Sequence, residues 1–174
     1  MYVKEINKLI NKVKNDKKLL KCGNCKYNYS LALSQDKEGY FYYCYKGEII
    51  FKFNDKKLNE KGLRVYLNKN DLINDVILSN IKDNKRKRYK ELKCVPEIKD
   101  IEKGFKKIGT MSIFVIDKKN RVAVPTENLI SVYKVLGENV RIYYRRQKDP
   151  VRIKSNRGYA LLYGVYLLND EYFL

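Results

Sequence analysis

The sequence contains no histidine and no tryptophan, and only three prolines, nine glycines and four cysteines in 174 residues. Without an imidazole there is no Ser-His-Asp triad, no Cys-His nucleophile pair, no HExxH metal helix and no histidine general base. A bound metal would have to sit on cysteines or carboxylates. No P-loop, no GxGxxG after a strand and no GxSxG elbow occurs. The acids are scattered, with Asp36 and Glu38, Asp100 and Glu102, and Asp170 and Glu171 as the close pairs. These absences point away from an enzyme. Long apolar runs are also missing. The longest, Tyr159 to Leu168, falls short of the roughly 18 residues needed to cross a bilayer. The stretch Met1 to Ile6 is charged and lacks the apolar centre of a signal peptide. The expected setting is cytoplasmic, with no membrane partner. There the cysteines are thiols or metal ligands rather than disulfides.

Acidic residues are scarce as well, 20 against 38 Lys and Arg, which leaves a formal charge of +18. Hydrophobic residues make up 44% of the chain, enough for a folded core. Such an excess of positive charge predicts a polyanionic partner, above all nucleic acid, with DNA ahead of RNA. A bias toward Lys, Asn, Ile and Tyr would also raise the charge without selecting a binding face.

The apolar periodicity gives the elements. Val3, Ile6, Leu9, Ile10 and Val13 recur at helical spacing over 3–15, with Lys4, Lys8 and Lys12 on another face. Short strands are expected at Tyr29 to Leu33, Tyr40 to Tyr45, Glu48 to Phe53 and Leu63 to Leu67, with turns at Gln35 to Gly39 and Asn54 to Gly62. A helix opens near Asn70. Lys82, Lys85, Arg86, Lys87, Arg88, Lys90 and Lys93 then stand against only Asp83 and Glu91, an exposed basic segment. Ile98 to Ile108 suggests a helix ended by Gly109. Strands follow at Met111 to Ile116 and Arg121 to Val124, around a turn at Asp117 to Asn120. A helix comes next, with Thr126 as its N-cap and Gly137 past its end. Val140 to Arg146 and Val151 to Lys154 alternate as strands, and Tyr159 to Leu168 closes the chain as a last one. The order implies an α+β fold, antiparallel sheets with a few amphipathic helices packed on one face. The expected division is an α+β unit at 1–81, a basic linker at 82–97 and a second α+β unit at 98–174.

Val122 to Leu136, Glu138 to Tyr144, Asp149 to Ile153 and Tyr159 to Leu167 together resemble the closing half of a DNA sliding-clamp domain. There a helix follows a strand, then come a Val-Arg-hydrophobic strand, a strand opened by proline and a last hydrophobic strand. The resemblance covers about residues 110–168. It implies a clamp-like fold and a non-enzymatic DNA tether that serves replication or transcription machinery, either as a homo-oligomer of several copies or as a divergent fragment that forms no ring. It also implies that basic helix faces touch phosphates without reading sequence, and that a partner protein docks beside Tyr163, Val165 and Leu167.

Cys22-x2-Cys25 has the spacing of a metal knuckle, and Gly23 allows its tight turn. With the hairpin that follows and Cys44-Tyr-Lys-Gly47, residues 22–47 resemble the zinc ribbon of bacterial-type primases. Gly47 stands where that pattern has its last cysteine. The resemblance implies a structural zinc on Cys22, Cys25 and Cys44, one ligand short, and Cys94 could supply the fourth from a distance. A ribbon without metal and four ordinary thiols are the alternatives.

The nucleic-acid-binding candidates are Lys4, Lys8, Lys12, Lys85, Arg86, Lys87, Arg88, Arg145, Arg146, Arg152 and Lys154. Arg145, Arg152 and Lys154 are expected on one face of a strand pair, where they could follow a phosphate backbone or simply solvate a sheet edge. Tyr89, next to Arg88, and Tyr143, two positions from Arg141 and Arg145, are candidates for stacking on bases. Two other functions fit the composition. One is a phage- or plasmid-borne inhibitor of a nucleoprotein defence enzyme, whose basic surface occupies a guide RNA or nucleic-acid channel. The other is a zinc-ribbon DNA-binding regulator.

Overall fold

A computed structural model describes residues 2–15, 32–45, 48–58, 60–63, 79–102, 107–108, 111–115, 121–137, 139–146 and 149–164. Helix α1 spans Tyr2–Asn15. Strands β1 (Ala32–Gln35), β2 (Phe41–Tyr45) and β3 (Ile49–Phe53) follow. Helix α2 covers 79–85, strand β4 Lys90–Glu91 and helix α3 Ile98–Glu102. Then come β5 (Lys107–Ile108), β6 (Met111–Val115), β7 (Arg121–Pro125) and helix α4 (Thr126–Leu136). Strands β8 (Arg141–Tyr144), β9 (Val151–Ser155) and β10 (Gly158–Leu162) complete the described elements.

The fold is α+β. Seven strands form one sheet in the order β1-β2-β3-β10-β9-β8-β4, and β5-β6-β7 form a smaller one. Every pairing is antiparallel. Strand β10 sits between β3 and β9, so the strands of 32–53 and of 141–162 share a single sheet. The expected boundary at 82–97 therefore does not part the sheet. The reason lies in β10 itself. Ala160 and Leu162 are buried on one face and Leu161 on the other. A strand that is apolar on both faces belongs at the centre of a sheet, with a neighbour on each edge. The expected linker is also structured. Its first residues continue α2 to Lys85, and β4 pairs with β8, after which the Leu92 N–H donates to the Ile142 carbonyl at 2.8 Å.

One sheet face carries the main core. Phe41, Tyr43, Tyr45, Ile49, Phe51 and Phe53 alternate inward from β2 and β3, with Ile142, Val151 and Ile153 from β8 and β9. Tyr43 stacks on Phe51 with ring centres 6.4 Å apart, and Phe51 on Phe53 at 5.7 Å. Against this face lie Val3, Ile6, Leu9 and Ile10 of α1 and Leu129, Val132, Tyr133 and Leu136 of α4. Each large side chain so buried is worth about 1.5–3 kcal/mol before entropy is counted. The opposite face holds Tyr42, Cys44, Ile50 and Leu161, with Ile81 of α2 laid over them.

Local chemistry sets the element ends. The Asp36 carboxylate accepts the N–H groups of Glu38 and Tyr40 at 3.0 and 2.9 Å and closes the β1–β2 turn. Thr126 is not the N-cap of α4. Pro125 holds that position, and Thr126 turns inward, where its hydroxyl meets that of Ser112 at 2.7 Å. Pro125 suits the position because it has no N–H to satisfy. Gly137 ends the helix as expected, with φ +91° and its N–H on the Tyr133 carbonyl at 2.8 Å. The expected helix over Ile98 to Ile108 stops within the described residues at Glu102, and Lys107–Ile108 is a strand that pairs with β6.

Several expected features lie outside the described residues. They are the Cys22–Cys25 turn, the strand Leu63 to Leu67 beyond Leu63, the first part of the helix from Asn70, the Asp117–Asn120 turn, the Val13 side chain, and Val165 to Leu168. No helix among the described residues is long and apolar enough to cross a membrane.

Candidate nucleic-acid interface

The second sheet face combines cations with tyrosines in register. Tyr42 lies opposite Lys52, Lys52 opposite Tyr159, Tyr159 opposite Lys154, and Lys154 opposite Arg141. The row thus crosses five adjacent strands, β2 to β8, at about 4.8 Å per step. Rings in and beside the row hold its ammonium groups. The Lys52 Nζ lies 4.6 Å from the centre of the Tyr40 ring and 5.7 Å from that of Tyr42. The Lys154 Nζ lies 5.3 Å from the centre of Tyr143. Attraction to a ring face limits the wandering of a long lysine side chain. The Tyr159 hydroxyl is enclosed without a hydrogen-bond partner among the described residues, and burial pushes its pKa up to about 12.

Helix α2 and the segment after it are fastened to the β8–β9 end of this row. Asn84 is 5% exposed. Its Oδ1 accepts Arg152 Nε at 2.7 Å, its carbonyl accepts an Arg152 Nη, and its Nδ2 donates to the Tyr89 hydroxyl at 2.6 Å. That hydroxyl donates to the Pro150 carbonyl at 2.8 Å. The Arg152 guanidinium carbon stands 3.9 Å over the centre of the Tyr89 ring. Arg152 is therefore a strut between sheet and helix. One face of the Tyr89 ring is thus occupied by Arg152 and its hydroxyl is bonded, which leaves only the other face for the stacking expected of it. The ring of Tyr143 is similarly covered by Lys154.

Asp149 makes the second fastening. Its Oδ1 accepts Lys87 Nζ at 2.6 Å, and its Oδ2 accepts Arg145 Nη1 at 2.7 Å and Arg146 Nε at 3.2 Å. Burial alone would raise its pKa. The three bonded cations outweigh burial and hold it down at about 2.

The two basic stretches, some sixty residues apart in the chain, thus form one surface. Lys85 lies near enough to Lys154 for charge repulsion. Burial, then Arg152 and Lys85, lower the Lys154 pKa. Lys85, Arg86 and Arg88 are exposed. Arg141, 74% exposed, has a loose partner in Glu91 at 3.9 Å.

The other candidates fall elsewhere. Lys4, Lys8 and Lys12 lie on α1, which covers the opposite sheet face. Lys8 pairs with Glu5 at 2.8 Å, and Lys12 with Glu127 of α4. Tyr163 is half-buried beside the second face, with its N–H on the Glu48 carbonyl at 2.9 Å, while Val165 and Leu167 lie outside the described residues. Cys44 is buried under α2 and Cys94 is exposed, while Cys22 and Cys25 lie outside the described residues. No group of three potential metal ligands converges among the described residues.

Sequence reasoning did not single out Lys52, Tyr42, Tyr159, Arg141 or Asn84 as site residues. The first four become a row only through strand register, which single strands do not declare. Asn84 had a faint signal, a lone amide inside a run of cations.

No protein-family model, curated protein or solved structure matches the chain.

Proposed function

We propose that the protein is a non-enzymatic, DNA-associated accessory factor that grips the phosphate backbone with its second sheet face. The observation that carries this reading is the fusion of two separate basic stretches into one surface through Asn84–Arg152 and Lys87–Asp149. The exposed cations Lys85, Arg86, Arg88, Arg141 and Lys154 supply affinity without reading sequence. The lysines stand on tyrosine rings, so less freedom is lost when they meet a phosphate. A grip of this kind suits a tether for a larger machine. The basic helix face of a clamp channel is a weaker basis here, because Lys8 and Lys12 of α1 are paired with Glu5 and Glu127.

Titrating random-sequence single-stranded and duplex DNA at several salt concentrations tests the reading. The logarithm of the binding constant should fall linearly with the logarithm of salt, by about 0.7 per phosphate contacted on a single strand and 0.9 on a duplex. A flat response removes nucleic acid as the partner.

A further inference from the structure

Resting on that reading, we propose that Lys87, Arg145 and Arg146 form one phosphate-binding site on DNA and that Asp149 is its positioning residue. The site is layered. Asp149 is 3% exposed, whereas the side chains of Lys87, Arg145 and Arg146 are 37%, 33% and 61% exposed. The carboxylate sits inside and the cations outside. Each cation gives Asp149 one hydrogen bond. An ammonium has three donors and a guanidinium five, so donors remain for a ligand. Three positive charges against one negative leave a net charge of two, suited to a phosphate.

An acid within a surface that binds a polyanion subtracts from the attraction. It helps only by ordering the cations before the ligand arrives. The geometry around Asp149 has that form. Its own N–H donates to the Arg146 carbonyl at 3.0 Å, and the neighbouring Pro150 carbonyl is held by Tyr89. The carboxylate is thus fixed from the backbone, and the cations are fixed by the carboxylate. Lys87 comes from the α2–β4 segment and the arginines from the β8–β9 connection, so the site exists only when both are docked.

The sign of one substitution separates ordering from bulk charge. Asp149→Asn raises the net charge by one, so bulk electrostatics calls for equal or tighter binding. The proposal calls for binding of labelled random-sequence single-stranded DNA weakened roughly threefold to tenfold, with the salt slope reduced by about 0.7, one phosphate. A second variant does not depend on the buried acid. Arg145→Lys with Arg146→Lys keeps the charge and removes the planar forks, and it should also weaken binding severalfold. Equal or tighter binding by a folded Asp149→Asn protein overturns the proposal, as does unchanged binding by the lysine variant. If melting shows Asp149→Asn to be unfolded, the lysine variant decides alone. If the unmodified protein itself fails to bind DNA at low salt, the functional reading falls first.

Discussion

Arg152 donates from Nε to the Asn84 side chain at 2.7 Å, across 68 positions of sequence. This bond ties strand β9 to helix α2, and it turns a basic stretch that reads as a linker into part of a surface. Asn84 is suited to the task because one amide both accepts from Arg152 and donates to Tyr89.

Replacing Asn84 with leucine should therefore cost about 2 kcal/mol, because Arg152 loses a side-chain acceptor for a half-buried charge. Urea unfolding measures the total. Amide exchange should quicken in 79–92 more than in β10. Equal protection of 79–92 in the variant and the unmodified protein would show that the docking does not depend on this bond.

The hydroxyls of Ser112 and Thr126 meet at 2.7 Å, and the two residues are 1% and 7% exposed. Thr126→Val strands a buried hydroxyl and should cost about 1–2 kcal/mol. Adding Ser112→Ala should restore part of that loss, since no polar atom then lacks a partner. A double-mutant cycle in denaturant reads the coupling, and strict additivity would contradict it.

Gly158 has φ +150°, and a Cβ there would meet the Lys52 carbonyl oxygen at 2.0 Å. That oxygen belongs to β3, the strand on which β10 depends. Gly158→Ala should cost more than about 3 kcal/mol or prevent folding. Gly62 has φ +93° and open space around it, so Gly62→Ala should cost only about 1 kcal/mol of backbone strain. Thermal melting of both variants compares them directly.

Asp149 also sets an acid limit. Its folded pKa of about 2 lies below the ordinary carboxylate value of 3.8. A depressed pKa adds stability that is present in full above the unfolded value and is lost as pH falls through the folded one. The window is thus from about pH 4 down to about pH 2, and the contribution is roughly 2 kcal/mol. Unfolding measured across that range should show a slope that Asp149→Asn flattens. An unchanged slope would mean that the three cations do not bind the carboxylate in solution.

The fold was largely legible where one face of an element is wet. The α1 stripe, the alternation in β8 and β9 and the glycine after α4 all follow from local periodicity. What local reading could not reach was partnership. Nothing in Tyr159 to Leu162 names β3 as a neighbour; only its apolarity on both faces hints at a central place. Thr126 looked like a cap because capping is local, yet its hydroxyl is used by Ser112 across the β6–β7 pairing. The candidate interface was legible as charge and not as place. The β8–β9 cations share a face because side chains alternate along a strand, whereas their union with 82–91 depends on Asn84, Tyr89 and Asp149, residues whose contacts are long-range.

The central claim is that the second sheet face, not the α1 face, grips nucleic acid. Two charge-matched variants test it in one titration of labelled random-sequence DNA at low salt. Arg141→Gln with Lys154→Gln removes the two cations at the β8–β9 end of the sheet row, and Lys4→Gln with Lys8→Gln removes two lysines of the helix face. The sheet variant should bind roughly tenfold or more weakly and lose about two phosphates' worth of salt slope, while the helix variant stays within about twofold of the unmodified protein. Weak binding by the helix variant with normal binding by the sheet variant would contradict the account.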